Sequence, residues 1–375
     1  MQFSEIPGLQ ETKRTLINSV KNNHVAHAQL FSGTEGNAAL AMALAYATYI
    51  NCEDKKEEDS CGVCASCTKI NKLIHPDIHF VYPVSTTKDV PKDALSNSFL
   101  KDWRTFVQAN PFASLNDWAN HIGAENKQLN ISVDESRNLI KTLALKAFEA
   151  DYKVMIIWLP EFMNSAAANA ILKILEEPPY KTLFLLVTQN QQKIITTILS
   201  RTQRIFIRPF TDDEIKQLIV QKFNLEDKKA QQIAYLADGN LNEAFRLIEE
   251  IQEDNQSMFR DWMRLCYKRN NIPELVEWSE EFQKMGKEAQ KGLFQYGINI
   301  MRESLVYKLS GSELLRLHDE DLKFVEGFSK VMDEHKIEKI YQQLNDGYYH
   351  IERNANAKIA FLDISFSISN ILKSS

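Results

Sequence analysis

The chain has 375 residues, 44% of them hydrophobic and 25% charged, which is the balance of an ordinary soluble globular protein with two or three domains. Its formal net charge of −6 argues against autonomous DNA binding, because that normally needs a concentrated basic face. The N-terminal sequence lacks the basic and apolar regions of a secretory signal, and no apolar run approaches the ~18 residues that span a bilayer. We therefore expect a cytoplasmic protein with no membrane partner.

The N-terminal part of the chain predicts a helix over residues 10–22, followed by a strand, a glycine-bearing loop and a second helix. The strand covers residues 27–33 (HAQLFSG) and the loop covers residues 33–40 (GTEGNAAL). A phosphate-binding loop needs glycines so that backbone amides converge on phosphate, then lysine for the β- and γ-phosphates and serine or threonine for Mg²⁺. The glycines are present but both side-chain positions are apolar: Gly33 and Gly36 are followed by Ala39 and Leu40. Taken alone, this loop is more typical of an ordinary strand-to-helix turn.

Four closely spaced cysteines follow, and their pattern predicts a structural zinc module over residues 52–67: Cys52, Cys61, Cys64 and Cys67. Disulfides are the alternative, but a cytosolic setting and the crowding of three cysteines within one short stretch disfavour them. The residues between the first two cysteines are acid-rich, which disfavours a finger that reads DNA. Cys266 stands alone on a later predicted helix and is interpreted as a core residue.

After the cysteines, His75-Pro76-Asp77 predicts a turn leading into a strand over residues 81–84 (VYPV). His75 and His79 are possible further metal ligands, but four thiolates already complete a zinc shell. Residues 85–128 are polar and rich in aromatic residues, and we interpret them as an insertion on the core. Apolar residues at helical spacing predict an amphipathic helix, with a second apolar group covering it: Phe99, Leu100, Trp103 and Phe106, then Phe112, Leu115 and Trp118. Both internal packing and partner docking remain open for this insertion.

The stretch over residues 153–179 (KVMIIWLPEFMNSAAANAILKILEEPP) predicts a strand buried on both faces and a helix capped by Asn164. It resembles the Walker B region of AAA+ clamp-loader ATPases, in which the strand ends in acidic residues and the helix ends in LEEPP. Trp158 stands at the position of the aspartate that would hold Mg²⁺, and an indole cannot ligate a cation that prefers oxygen. Only Glu161 keeps a carboxylate. The unit therefore keeps the scaffold of the motif without its metal ligand. Paired with this stretch, the loop over residues 33–40 is interpreted as a degenerate phosphate-binding loop.

Residues 182–188 predict another buried strand, and it ends in Gln189-Asn190, where AAA+ cores carry the polar sensor 1 residue. Ser200-Arg201-Thr202 resembles the SRC motif of clamp loaders, whose arginine reaches the ATP site of a neighbouring subunit. A guanidinium there stabilises the charge on the transferring phosphoryl group, worth ~10³–10⁵ in rate. A surface arginine in an ordinary salt bridge is the alternative.

From residue 209 onward the pattern is helical. Residues 209–250 have the layout of an AAA+ lid, and Asn242 occupies the place where sensor 2 would carry an arginine. Residues 251–375 predict long amphipathic helices, either a private bundle or a collar that joins subunits.

The resemblance covers the whole chain. Within the clamp-loader family, the order of these motifs is similar to that of the delta-prime subunits of bacterial DNA polymerase III. It implies an α/β AAA+ core with a RecA-like parallel sheet (1–208), carrying the zinc module and the insertion, then a helical lid (209–250) and an all-α C-terminal collar domain (251–375).

The same resemblance implies a subunit that does not hydrolyse ATP, with gamma/tau and delta subunits as its partners. It would reach the sliding clamp and primed DNA through the complex, and Ser200 and Arg201 would complete a neighbour's ATP site as an arginine finger in trans. Structural Zn²⁺ is the expected cofactor, and ATP is not expected. Two alternatives stay open: an intrinsically active AAA+ ATPase with unorthodox ligands, and a zinc-containing nucleic-acid-binding protein.

Overall fold

The computed structural model describes residues 1–125, 127–223, 225–250, 255–268, 272–311 and 319–373. The chain divides into two compact units: unit 1 comprises Met1–Asp227 with Ala237–Glu243, and unit 2 comprises Lys228–Leu236 with Ala244–Ser375. The expected domain division after residues 208 and 250 stays a prediction, and the start of the expected collar at residues 251–254 lies outside the described residues.

Unit 1 is organised around a five-stranded parallel sheet with the strand order β2-β3-β4-β1-β5. The strands are β1 Ala28–Ser32, β2 Ile78–Val81, β3 Lys153–Trp158, β4 Thr182–Thr188 and β5 Gln203–Phe206. Strands β1, β3 and β4 are buried along their whole length, as apolar runs covered by helices on both faces should be. This confirms the predicted α/β core with a parallel sheet.

Twelve described helices begin in unit 1 or cross its boundary: α1 Gln10–Lys21, α2 Ala39–Ile50, α3 Ala65–Asn71, α4 Leu100–Ala109, α5 Leu115–His121, α6 Val133–Ala144, α7 Ser165–Ala170, α8 Leu172–Glu176, α9 Thr196–Leu199, α10 Asp212–Phe223, α11 Asp227–Ala237 and α12 Leu241–Glu250. Helix α2 is buried on all sides, which fits its composition of alanine and larger apolar residues. The insertion contributes α4 and α5.

Two elements differ from their predicted positions. Strand β2 ends at Val81, where the predicted strand began, because the predicted run contains Pro83, which cannot donate a sheet hydrogen bond. The sequence also predicts a helix that is introduced by residues 131–134 and reaches about residue 148. In the structure α6 ends at Ala144, and the amides of residues 148–150 donate to the carboxylate of Asp77 at 2.6, 2.8 and 2.9 Å.

The described part of unit 2 is helical: α13 Asn255–Tyr267, α14 Ile272–Lys284, α15 Lys287–Ser310, α16 Asp319–Val331, α17 Glu334–Glu352 and α18 Ala357–Lys373. Its core is aromatic, with Trp262 stacked on Phe361 at a centroid distance of 4.7 Å. Cys266 is buried in this core, and its thiol donates to the carbonyl of Ser365 at 3.7 Å. Among the described helices, none has both the length and the apolar character needed to cross a membrane.

Candidate functional site

The loop over residues 33–40 follows β1, and several of its backbone groups are bound within the chain. The Gly33 amide donates to the Thr188 carbonyl at 3.2 Å, and the Ala39 amide donates to Asn37 Oδ1 at 2.9 Å. The Gly36 carbonyl accepts from the amide of Leu241 at 3.0 Å. The amides at Gly33 and Ala39 are therefore already engaged and are not directed at an external phosphate.

The two side chains that replace the phosphate and Mg²⁺ ligands of this loop are inside the packing. Ala39 is 3% exposed and Leu40 is 5% exposed. Gly36 has a φ of 71°, a left-handed conformation that favours glycine, and a Cβ atom there would lie 1.7 Å from Oδ1 of Asn240. The loop keeps a glycine-dependent turn, but the glycine makes room for a neighbouring segment of the same chain.

Trp158 ends β3 and is 2% exposed within a group of rings that we call the aromatic cluster: Tyr82, Trp103, Phe106, Trp118 and Trp158. Its ring centroid lies 5.2 Å from Trp103 and 6.2 Å from Phe106, both on α4. Tyr82 stacks on Trp103 at 4.0 Å. The residue at the position of the Walker B aspartate is therefore an apolar contact between the sheet and the insertion.

Glu161 keeps its carboxylate but uses it on the backbone. The carboxylate accepts from the amides of Gln189 and Asn190 at 2.9 and 3.0 Å, and burial raises the pKa of Glu161. It thus holds the loop where the sequence predicts sensor 1, at the end of β4.

Asn242, at the predicted sensor 2 position, is 4% exposed and is bonded to the insertion on both sides of its amide. Its Nδ2 donates to Asp117 Oδ2 at 2.8 Å, and its Oδ1 accepts from Asn110 Nδ2 at 2.6 Å. Sequence reasoning missed Asn110 and Asp117, because these contacts join positions more than a hundred residues apart. The only local signal is the Ser114–Asp117 capping box, which predicts a helix start.

Arg201 lies at the surface with 29% of its side chain exposed. Its guanidinium donates to Glu176 Oε1 at 2.7 Å through Nε and to the Thr197 carbonyl at 2.8 Å through a terminal nitrogen. The Ser200 hydroxyl accepts from the same terminal nitrogen at 3.3 Å. Glu176 belongs to the LEEPP ending, so two separate sequence motifs meet here in one ion pair.

The four cysteines are brought together as predicted, and their sulfur atoms all lie within 4.8 Å of one another. Tetrahedral zinc with Zn–S bonds of ~2.3 Å separates its sulfurs by about 3.8 Å, so this set fits such an ion. The amides of Cys61, Cys64 and Cys67 donate to sulfur atoms of the set at 3.3, 3.3 and 3.4 Å. Hydrogen bonds of this kind orient thiolates and stabilise their charge.

The surroundings of the four cysteines shift the pKa values of their thiols in different directions. The backbone amides of Val63 and Cys64 lower the pKa of Cys61 to about 7, whereas burial raises the pKa of Cys52 and Cys67. His75 and His79 are not members of the metal-binding group found among the described residues. A bound dication would favour the thiolate form of all four cysteines.

The segment between Cys52 and Cys61 also binds the first residues of the chain. The carboxylate of Asp59 accepts from the amides of Phe3 and Ser4 at 3.0 and 2.9 Å, and the Gln2 side chain donates to the Ser60 carbonyl at 2.7 Å. The acidic residues between the cysteines therefore serve local structure in part.

The five-stranded parallel sheet and the strand-to-helix loop at the end of β1 define an α/β protein with a parallel sheet. A sequence model of the family described as "DNA polymerase III, delta subunit" matches residues 8–211, more than half of the chain, and the chain belongs to this family.

Two curated relatives come from Bacillus subtilis (strain 168). Its DNA polymerase III subunit tau is 24% identical over 366 residues, covering 92% of this chain and 54% of that protein. Its subunit delta' is 26% identical over 223 residues, covering 59% of this chain and 54% of that protein. The chain thus spans about half the length of each. A solved gamma-subunit-related protein from Thermotoga maritima is 15% identical with a TM-score of 0.38, covering 96% of this chain and 99% of that one.

Proposed function

We propose that this chain is a cytoplasmic clamp-loader subunit of DNA polymerase III that does not hydrolyse ATP and that completes the ATP site of a neighbouring subunit. Its partners would be gamma/tau and delta subunits, and the complex would load the sliding clamp onto primed DNA. Family membership and the names of its relatives support the complex. Residues 251–375 would serve as the collar that joins the subunits, with residues 209–250 as the lid.

One observation carries the proposal that the chain does not hydrolyse ATP: apolar, buried side chains stand at all three ligand positions, namely Ala39, Leu40 and Trp158. Phosphoryl transfer depends almost wholly on positioning and on electrostatic stabilisation by such ligands. The charge-assisted hydrogen bond lost at Ala39 is worth roughly 1.5–3 kcal/mol, and the Mg²⁺ ligands at the positions of Leu40 and Trp158 are missing as well. We expect no ADP release from the isolated chain under conditions in which an intact clamp-loader ATPase turns over. Robust turnover would refute this part.

The second part of the proposal assigns Arg201 to a neighbour's active site. The partly exposed guanidinium and its place beside Ser200 support it. The ion pair with Glu176 does not oppose it, because an exposed pair is worth ~0–1 kcal/mol. Stabilising the transferring phosphoryl group is worth ~10³–10⁵ in rate, or ~4–7 kcal/mol of activation free energy. This exceeds the free energy lost when the guanidinium separates from Glu176.

The test uses the assembled loader with its gamma/tau and delta subunits. Arg201→Ala should leave the complex intact by size-exclusion chromatography and sharply reduce its DNA-stimulated ATPase. Arg201→Lys should rescue little, because an ammonium lacks the planar fork of guanidinium. Glu176→Gln is the matched control, since it breaks the same ion pair but keeps the arginine, and it should retain most turnover. An Arg201→Ala complex with unchanged turnover would remove the assignment.

We also propose that the four cysteines hold one structural Zn²⁺. The spacing of the sulfurs and the amide hydrogen bonds to them support this. A closed set of four thiolates leaves no coordination position for water, so the ion would stabilise the module and take no part in catalysis.

A further inference from the structure

We propose that the insertion occupies, within the same chain, the place where a nucleotide would bridge the loop after β1 and the segment 237–243. The proposal rests on the absence of ATP hydrolysis in the proposed function, but it does not depend on Arg201 or on clamp loading. The bridging part is residues 96–122, which include α4 and α5. In open parallel sheets, ligands bind in the crevice at the carboxyl ends of the strands.

The insertion lies at this edge of the sheet. Trp158 is the last residue of β3 and Tyr82 directly follows β2, and both contact Trp103 of the insertion, at centroid distances of 5.2 and 4.0 Å. The Trp118 indole donates to the Pro83 carbonyl at 2.9 Å, and the Tyr82 hydroxyl donates to the Ser96 carbonyl at 2.7 Å. The ring contacts and the hydrogen bonds of Tyr82 and Trp118 together fix the insertion to the strand ends.

The other side of the insertion holds the segment 237–243. Asn242 donates to Asp117 and accepts from Asn110, and the ring of Phe112 meets Phe210 edge-on at 5.9 Å. Asp117 also accepts from the amide and the hydroxyl of Ser114, at 2.8 and 2.7 Å, which fixes its carboxylate. The segment therefore rests on an oriented acceptor that the chain itself supplies.

The held segment in turn contacts the loop after β1. Leu241 donates to the Gly36 carbonyl at 3.0 Å, and the Asn240 side chain fills the space beside the Gly36 Cα atom. Contacts thus run without a gap from Trp158 through the insertion and Asn242 to Gly36. A nucleotide entering this crevice would have to displace groups that are already hydrogen-bonded. We therefore expect the segment 237–243 to keep its contacts with the insertion and with the loop after β1 when no nucleotide is present.

Hydrogen exchange of the intact chain, followed by mass spectrometry, tests the bridge. Asn242→Asp keeps the shape of the side chain but sets a carboxylate against Asp117 in place of a donor. We expect exchange to rise about tenfold or more in residues 237–243 and also in residues 110–118, a rise of tenfold being about 1.4 kcal/mol. Exchange in residues 110–118 is the decisive measurement, because a purely local role for Asn242 would not change the exchange rate of that peptide.

A reversed pair provides the rescue. Asn242→Asp combined with Asp117→Asn replaces the contact between two carboxylates with one between a carboxylate and an amide. Because Asp117 Oδ2 accepts from Ser114 as well as from Asn242, the recovery of the exchange rate should be clear but partial. Asn120→Ala, on an exposed position of α5, is the control and should leave both peptides unchanged. No rise at residues 110–118 in Asn242→Asp, or no recovery in the reversed pair, would overturn the bridge.

Nucleotide addition gives a second readout on the original chain. Millimolar Mg·ATP should leave exchange in residues 33–40 and 237–243 unchanged, because the crevice is occupied. New protection in both peptides would overturn the proposal. The Arg201 experiment is unaffected by either outcome, so failure of the bridge and failure of the clamp-loader assignment can be told apart.

Discussion

Restoring the missing carboxylate of the Walker B-like strand should unfold unit 1 rather than create a metal site. Trp158 is 2% exposed and contacts two rings of α4, so Trp158→Asp both empties a large volume and introduces an ionisable group. Truncating a buried tryptophan costs ~3–5 kcal/mol. An unpaired buried carboxylate adds several kcal/mol or is forced into its neutral form. Domains are stable by only ~5–15 kcal/mol, so the sum removes most of the stability of unit 1.

The assay is hydrogen exchange of the β3 and β4 amides, which reports opening of unit 1 separately from unit 2. A loss of at least 4 kcal/mol corresponds to an acceleration of about a thousandfold or more. Trp158→Phe is the control, since it keeps an aromatic ring in the cluster, and its effect should be much smaller. A Trp158→Asp chain with original protection, or one that gains stability specifically from Mg²⁺, would refute the reasoning about the cluster.

Two further predictions concern the histidine of β2 and the cysteine cluster. Burial and the nearby Lys153 lower the pKa of His79 from 6.5 to about 4, so its neutral form is favoured in the folded state. Its contribution, about 3 kcal/mol, is present above pH 6.5 and is lost as pH falls to about 4; urea unfolding across this window should show a weaker pH dependence in His79→Gln. Elemental analysis should find one zinc per chain. Cys64→Ser should lower that content and speed proteolysis within residues 53–60, and full zinc occupancy in that variant would contradict the tetrathiolate site.

Local chemistry made much of unit 1 predictable from sequence. Apolar runs too short for helices identified β3 and β4, and the cysteine spacing identified a cluster that the structure brings together. Asn164 was expected to cap a helix, and its side chain accepts from the Ala167 amide at 2.8 Å. These features depend on neighbouring residues, which a sequence displays directly.

The use of the insertion was not predictable. Its aromatic residues signalled an apolar helix face, but the partners of that face lie on β3 and after β2, and nothing local specifies them. The sequence places this strand too late in the chain, at residues 81–84, because the polar His79 interrupts the apolar pattern of β2. The role of Glu161 was not predictable either. From the sequence it is interpreted as the one carboxylate that remains of a metal-binding motif, whereas in the structure this carboxylate accepts from two backbone amides at the end of another strand.

The complete burial of α2 limits how easily substitutions could give this chain the side chains that bind a nucleotide. All twelve of its residues are buried, so the side chains that begin the helix now belong to the core. A lysine introduced at position 39 would have its ammonium enclosed by packing rather than aimed at a phosphate, and burying an unpaired charge is costly. Under the proposed function, adding nucleotide ligands to this chain would require several substitutions in concert, because each one alone lowers stability before any benefit exists. Packing of this kind therefore opposes a gain of ATP use by single steps.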